Sequence, residues 1–261
     1  MKVIRFKIEH EIFYGIQEED KITKIVPEKN LKDIYNLKNE KNYFNENINI
    51  EYLKILPPVY SSKIVCVGLN YIDHAKELNM EVPPNPIIFL KPPTAIIGHN
   101  DFIVFKNNIG RVDYEGELAI VIGKACKNKK PNEVKDCILG YTILNDVTAR
   151  DIQKKEGQWT RAKSYDTFSP IGPLIETEIK NPDNLKIKTF LNGKIVQNSS
   201  TSNFIFKTFE LVSFISNIMT LLPGDIISTG TPPGIGPLSN NDIVEIEVEN
   251  IGILRNRVKI I

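Results

Sequence analysis

Cysteine is scarce in this 261-residue chain: Cys66, Cys126 and Cys137 are the only three, and they fit neither a CxxC motif nor a zinc-ligand pattern. Three cysteines cannot all pair within one chain, so no disulfide framework is expected and a reducing cytoplasm is the natural setting. No apolar run approaches about 18 residues, which argues against a membrane-spanning helix. The first segment, MKVIRFKIEHEIFYG, alternates charge with hydrophobicity and lacks the apolar stretch of a secretory signal. An excess of one charge is also missing. Lys and Arg number 33 against 32 Asp and Glu, a net charge of +1, so no nucleic-acid partner held by bulk electrostatics is expected. There is no GxxxxGK[ST] phosphate loop, no GxGxxG opening a helix, and no internal repeat at a period of about 20–50 residues.

What is present is an ordinary soluble composition, 41% hydrophobic and 25% charged, over a length that supports a sizeable core. Period-two alternation predicts short strands over 2–8, 12–16 and 22–26. Residues 30–50 are rich in Asn, Lys and Glu and read as a short helix and a loop. Pro57-Pro58 cannot continue regular structure and marks a linker, giving an N-terminal unit 1–58 and a second unit 59–261. In the second unit strands are expected over 63–67, 86–90, 95–97, 103–105, 117–122, 138–144, 172–175, 185–191, 225–228, 243–248 and 253–260. Helical character is confined to 72–78 and to 209–219, where apolar residues recur at helical spacing. Many short strands with few helices predict a β-rich α+β fold rather than a doubly wound sheet.

Several segments carry residues suited to chemistry. In VDYEGELAIVIGK, Glu115 and Glu117 project from one face if the segment is a strand, and Gly116 between them admits a close approach. Two carboxylates on one face repel unless a proton or a cation intervenes. The apolar run that follows makes an unpaired charge there costly, although a solvated strand edge would also explain a bare ExE. GYTILNDVTARDIQ ends an apolar strand at Asp146, which reads equally well as a third carboxylate of an oxygen-ligand site or as a helix N-cap. Such a site suits Mg2+ or Mn2+ better than Zn2+. In GLNYIDHAKE, His74 and Glu77 lie side by side if the segment is helical. A carboxylate beside an imidazole fixes its tautomer and suits a general base, whereas the plain alternative is a surface ion pair. His10 and His99 show no obvious partner. Lys163 in QWTRAKSYDTF reads alone as a surface lysine. LLPGDIISTGTPPGIG, which contains Thr231, reads either as a turn between strands or as hydroxyls and amides offered to a small anion.

Together and in this order these segments, with KIVCVGLNYIDHAKE, PIIFLKPPTAIIG, QWTRAKSYDTFSPIGP and FLNGKIVQNSSTSNFIF, resemble the fumarylacetoacetate hydrolase family over about residues 60–261. Residues 1–58 resemble the small β-rich N-terminal domain of its prokaryotic members. The resemblance implies the family's mixed β-roll, a homodimer, and a divalent metal, Mg2+ or Mn2+. It implies Glu115, Glu117 and Asp146 as metal ligands, and His74 and Glu77 as a catalytic dyad on a mobile lid. It places Lys163 near the oxygen that accumulates charge, and Lys91, Arg150, Gln153 and Thr231 at substrate-facing positions.

The chemistry implied is enolate formation from a small 2-oxo or 2-hydroxy-enoic dicarboxylate or an acylpyruvate, with the metal as Lewis acid and His74 as base. Hydrolysis of a carbon–carbon bond, tautomerisation or isomerisation of the 2-hydroxyhepta-2,4-diene-1,7-dioate type found in aromatic catabolism, and oxaloacetate decarboxylation or tautomerisation share that intermediate. Fold and metal site therefore constrain the intermediate more than the net reaction. A non-catalytic 2-oxo acid sensor would have lost the base or a ligand, and here all are present. A structural β-protein with a stabilising metal would have no need of the His–Glu pair.

Overall fold

The computed structural model describes residues 1–38, 43–77 and 79–261. Strands dominate, joined by five short α-helices among the described residues, and the chain has the expected β-rich architecture. No helix among these residues is long and apolar enough to cross a membrane. The largest sheet runs, in spatial order, Phe44–Asn49, Lys21–Pro27, Glu11–Glu18, Lys2–Ile8, Ser169–Glu176, Ile138–Asn145, Gly116–Ile122, Ile226–Ser228, Ile64–Gly68 and Ile87–Lys91. The strands before residue 58 thus extend this sheet, through antiparallel pairing of Lys2 with Glu176 and Val3 with Ile175. A five-stranded sheet comprises Lys194–Ser200, Lys186–Leu191, Ile243–Val248, Gly252–Ile260 and Phe102–Phe105. A small third sheet joins Thr148–Ala149, Val112–Tyr114 and Gly236–Pro237.

The central strand Gly116–Ile122 is buried along its whole length. Leu118, Ile120 and Ile122 enter one apolar cluster with Ile187 and Ile246 of the second sheet and with Leu211, Val212 and Ile215 of the helix Thr208–Ile218. Ala119 and Val121 point the other way, into a cluster with Leu144, Ile171 and Ile226. A strand covered on both faces has no need of alternation, which is why LAIVI reads as an unbroken apolar run. Glu117 shares the parity of Ala119 and Val121, so this rigid strand sets the direction of its carboxylate.

Some elements differ from the sequence expectations. In place of a helix and loop over 30–50, the helix Asp33–Lys38 is followed by the strand Phe44–Asn49, while residues 39–42 lie outside the described residues. That strand pairs with Lys21–Pro27, but its side chains are mostly exposed, so it shows no apolar alternation. Lys194–Ser200 is a further strand hidden by polar composition, held by its register with Lys186–Leu191. A helix does follow Asp146, but it spans Arg150–Glu156 with Ala149 at its N-cap, so Asp146 does not cap it, and the short helix Thr160–Lys163 was not expected. The helix predicted over 72–78 is found at Ile72–Glu77, and Leu78 is outside the described residues.

Candidate active site

Strands Gly116–Ile122 and Ile138–Asn145 run antiparallel with Gly116 opposite Asn145, so their ends bring residues 115–117 against residue 146. The Asp146 amide donates to the Glu115 carbonyl at 2.9 Å, and the Asn145 side-chain oxygen accepts from the Glu115 amide at 2.9 Å. Oxygens of Glu115, Glu117 and Asp146 consequently lie within 4.8 Å of one another, all three residues buried. Gly116 packs under the second sheet. A Cβ there would meet Thr189 Oγ1 at 2.4 Å and Ile246 Cγ2 at 3.1 Å. Its amide donates to Gln197 Oε1 at 3.1 Å. Gly116→Ala is therefore expected to cost about 1–3 kcal/mol of stability, measured as a lower denaturant midpoint.

Three cations face this cluster. Lys163 Nζ donates to Glu115 Oε2 at 2.9 Å and to Asp146 Oδ2 at 2.5 Å. Arg150 bonds Glu115 Oε1 through Nη2, Asp113 Oδ2 through Nε at 2.8 Å and Gln153 Oε1 through Nη1 at 2.5 Å. Lys91 Nζ donates to Asp146 Oδ1 and the Phe168 carbonyl, each at 2.6 Å, and to the Val147 carbonyl at 3.2 Å. Lys91 thus stands behind Asp146 rather than on the cavity wall, and its contacts orient that carboxylate. Burial pushes the Glu115 carboxyl up, but Lys163 and Arg150 outweigh it and hold the group at about 2. Burial likewise pulls Lys163 down, and Asp146 and Glu115 more than reverse that, keeping the ammonium charged.

Glu117 is different. It accepts from Ser228 Oγ at 2.5 Å and the Gly230 amide at 2.8 Å, and among the described residues no Lys or Arg forms an ion pair with it. Burial, then Asp146 and Glu115, raise its carboxyl well above the usual carboxylate range. The three cations pair with Glu115 and Asp146, so positive charge is missing only at Glu117. The all-oxygen donor set fits a hard divalent ion such as Mg2+ or Mn2+.

The dyad sits across the cavity. His74, buried on the helix Ile72–Glu77, bonds Glu77 Oε2 through Nδ1 at 2.8 Å, and Glu77 Oε1 accepts from the Gly234 amide at 3.1 Å. An Nδ1 proton held by the carboxylate leaves Nε2 as the basic nitrogen. His74, Glu115, Glu117, Asp146, Lys163 and Thr231 all line one cavity of about 290 Å3, with Arg150 and Gln153 on its wall. Thr231 Oγ1 is fixed by donating to the Gly116 carbonyl at 3.0 Å and accepting from Gln197 Nε2 at 2.9 Å. His99, for which the sequence offered no partner, accepts from the Arg255 amide at 3.2 Å.

Two contributors escaped sequence reasoning. Gln197 joins Gly116, Thr189 and Thr231 through its side-chain amide. Asp73 clamps the dyad helix: its Oδ2 accepts from Ser199 Oγ at 2.7 Å and Asn203 Nδ2 at 3.2 Å. The only signal was the presence of both partners in the polar stretch 190–206, where no single residue stands out. Hydrogen bonds to a charged group are worth about 1.5–3 kcal/mol. Asp73→Ala should therefore speed amide exchange across 72–77 and lower kcat/KM by about tenfold, while the melting temperature changes little.

A family model for the fumarylacetoacetate (FAA) hydrolase C-terminal domain matches residues 63–259. An uncharacterised protein of Methanocaldococcus jannaschii is 61% identical over 224 residues, 86% of this chain and 92% of that protein. The mitochondrial oxaloacetate tautomerase Fahd2a of Rattus norvegicus is 44% identical over 78% of this chain and 68% of its own length. Among solved structures, 5-carboxymethyl-2-hydroxymuconate delta-isomerase from Mycobacterium smegmatis aligns with a TM-score of 0.88 at 40% identity, covering 100% of this chain and 99% of that one. Maleylpyruvate hydrolase from Sphingobium, solved with manganese(II) and pyruvate, aligns with a TM-score of 0.82 at 27% identity over 100% of this chain and 99% of its own.

Proposed function

This chain is an enzyme of the fumarylacetoacetate hydrolase family, and from that premise we propose that it moves a proton in small 2-oxo or 2-hydroxy-enoic acids through an enolate. The observation that carries this reading is the convergence of three buried carboxylates, a buried lysine and a His–Glu pair on one cavity. Glu115, Glu117 and Asp146 would hold a divalent cation, Mg2+ or Mn2+, which would supply Lewis-acid charge when bound. The manganese in the maleylpyruvate hydrolase structure supports that assignment.

The chain's own groups do the rest. Lys163 presents a permanent positive charge beside the carboxylates, where an enolate oxygen would be stabilised. Arg150, oriented by Asp113 and Gln153, offers a guanidinium to a substrate carboxylate. Glu77 holds Nδ1 of His74, so Nε2 takes the proton. If that proton comes from C3 of the substrate, the outcome is tautomerisation or isomerisation. If it comes from water, hydroxide attacks the distal carbonyl, the carbon–carbon bond breaks with its electron pair passing to C3 as an enolate, and the proton held by His74 returns to C3 as pyruvate leaves. Loss of CO2 from oxaloacetate passes through the same enolate. The relatives named as an isomerase, a hydrolase and a tautomerase fit this shared intermediate.

Product analysis by NMR tests the reading. Mg2+- or Mn2+-loaded protein is given oxaloacetate, acetylpyruvate and fumarylpyruvate. Accelerated keto–enol exchange, pyruvate with acetate or fumarate, or pyruvate from oxaloacetate is expected for at least one of them, and EDTA should stop it. Inertness toward all three, with and without cation, would refute the proposal.

A further inference from the structure

The cavity lining includes residues that the chemistry above does not use. Trp159, Phe89, Ile87 and Met80 form an apolar part of it. Trp159 meets Phe89 edge-on, with ring centroids 5.2 Å apart, and Lys163 Nζ lies 4.9 Å from the centroid of the same Phe89 ring. Phe89 therefore joins the charged residues to the apolar ones. The apolar part depends on Gly68, where a Cβ would stand 2.8 Å from Trp159 Cζ3. Ile87 and Met80 carry it outward to solvent, 38% and 51% exposed.

Three basic side chains line the cavity: Arg150, Lys154 and Lys163. Arg150 and Lys163 are committed to Asp113, Glu115 and Asp146. Lys154 is exposed and has no hydrogen bond or ion pair with any described residue. It follows Arg150 by four positions on the helix Arg150–Glu156, so both occupy one face about 6 Å apart along the axis. An exposed cation without a protein partner, on the lining that also carries apolar rings and a buried charged cluster, suits a molecule with two anionic ends and several carbons between them.

Resting on the proposed function, we infer that Lys154 is a specificity-determining residue, which favours a substrate with a distal carboxylate over one without. The unsaturated chain of the favoured substrate lies along Trp159 and Phe89, and its far carboxylate meets Lys154. Steady-state kinetics of wild type, Lys154→Gln and Lys154→Arg with fumarylpyruvate and acetylpyruvate test the inference, since the two share a reacting core and differ in the distal carboxylate. Lys154→Gln should raise KM for fumarylpyruvate about fivefold with kcat nearly kept, and Lys154→Arg should restore it. Acetylpyruvate should lose far less. Equal losses on both substrates, no loss on fumarylpyruvate, or a wild type that turns over acetylpyruvate or oxaloacetate but not fumarylpyruvate would overturn the inference. A wild type inert on all three substrates refutes the proposed function itself and, with it, this assignment.

Discussion

His74→Ala is expected to lower kcat on every accepted substrate by about 100- to 10,000-fold, the range that positioned general bases contribute. His74 is the one histidine on the cavity wall, its Nδ1 is held by Glu77, and Glu77 is itself anchored to the Gly234 amide. The imidazole thus has one tautomer and one orientation, with Nε2 free. The variant should still bind Mn2+ with wild-type affinity in calorimetry, because the three carboxylates are untouched. Its KM should change much less than its kcat, as expected when the lost interaction belongs to the transition state. Glu77→Gln tests the second link: it keeps the shape but removes the charge that orients Nδ1, and should produce an intermediate loss. Equal KM effects in both variants, with kcat preserved, would make the dyad a binding element instead of a base.

Glu117→Gln should weaken divalent-cation binding by at least about 100-fold, since changes one layer removed from a metal already cost about 10–100-fold. Activity should fall in parallel and be partly recovered at high cation concentration. A second readout separates this from misfolding. Glu117 lies against two other carboxylates, with only Ser228 and the Gly230 amide as partners. Neutral glutamine in cation-free protein removes the penalty that burial and these neighbours place on ionising the side chain, so the melting temperature without cation should hold or rise. The rise in melting temperature that Mn2+ gives wild type, by preferential binding to the folded state, should vanish in the variant. A cation-induced shift of undiminished size would show that the ion binds elsewhere.

The parts of the site visible in the sequence share a physical property: each is local. Glu115 and Glu117 are two apart on a strand whose unbroken apolar run announces burial on both faces, and His74 and Glu77 are one helical turn apart. Asp146 could be named as a carboxylate at a strand end, but its meeting with Glu115 depends on the register of Gly116 with Asn145, which is a tertiary fact. The role of Lys91 was harder still. The resemblance alone implied a substrate-facing position for it, and its bonds to the carbonyls of Val147 and Phe168 turn it behind Asp146. Asp73, Ser199 and Gln197 were illegible for the same reason: each is a common polar residue whose function comes from partners distant in the chain. Strands 44–49 and 194–200 were missed because backbone pairing, not side-chain burial, defines them. The family resemblance implied residue roles that spacing alone left open, and the structure brings most of those residues to one cavity.

Enolisation of a 2-oxo acid in this cavity, with His74 as the base, is read by deuterium wash-in at C3 of pyruvate and of oxaloacetate in D2O, followed by proton NMR with Mg2+-loaded wild type and His74→Ala side by side. Wild type should accelerate exchange on at least one of them well above cation alone, and His74→Ala should fall back toward that background. Exchange that is equally fast in both proteins, or absent from wild type while the substrate is still consumed, would contradict it.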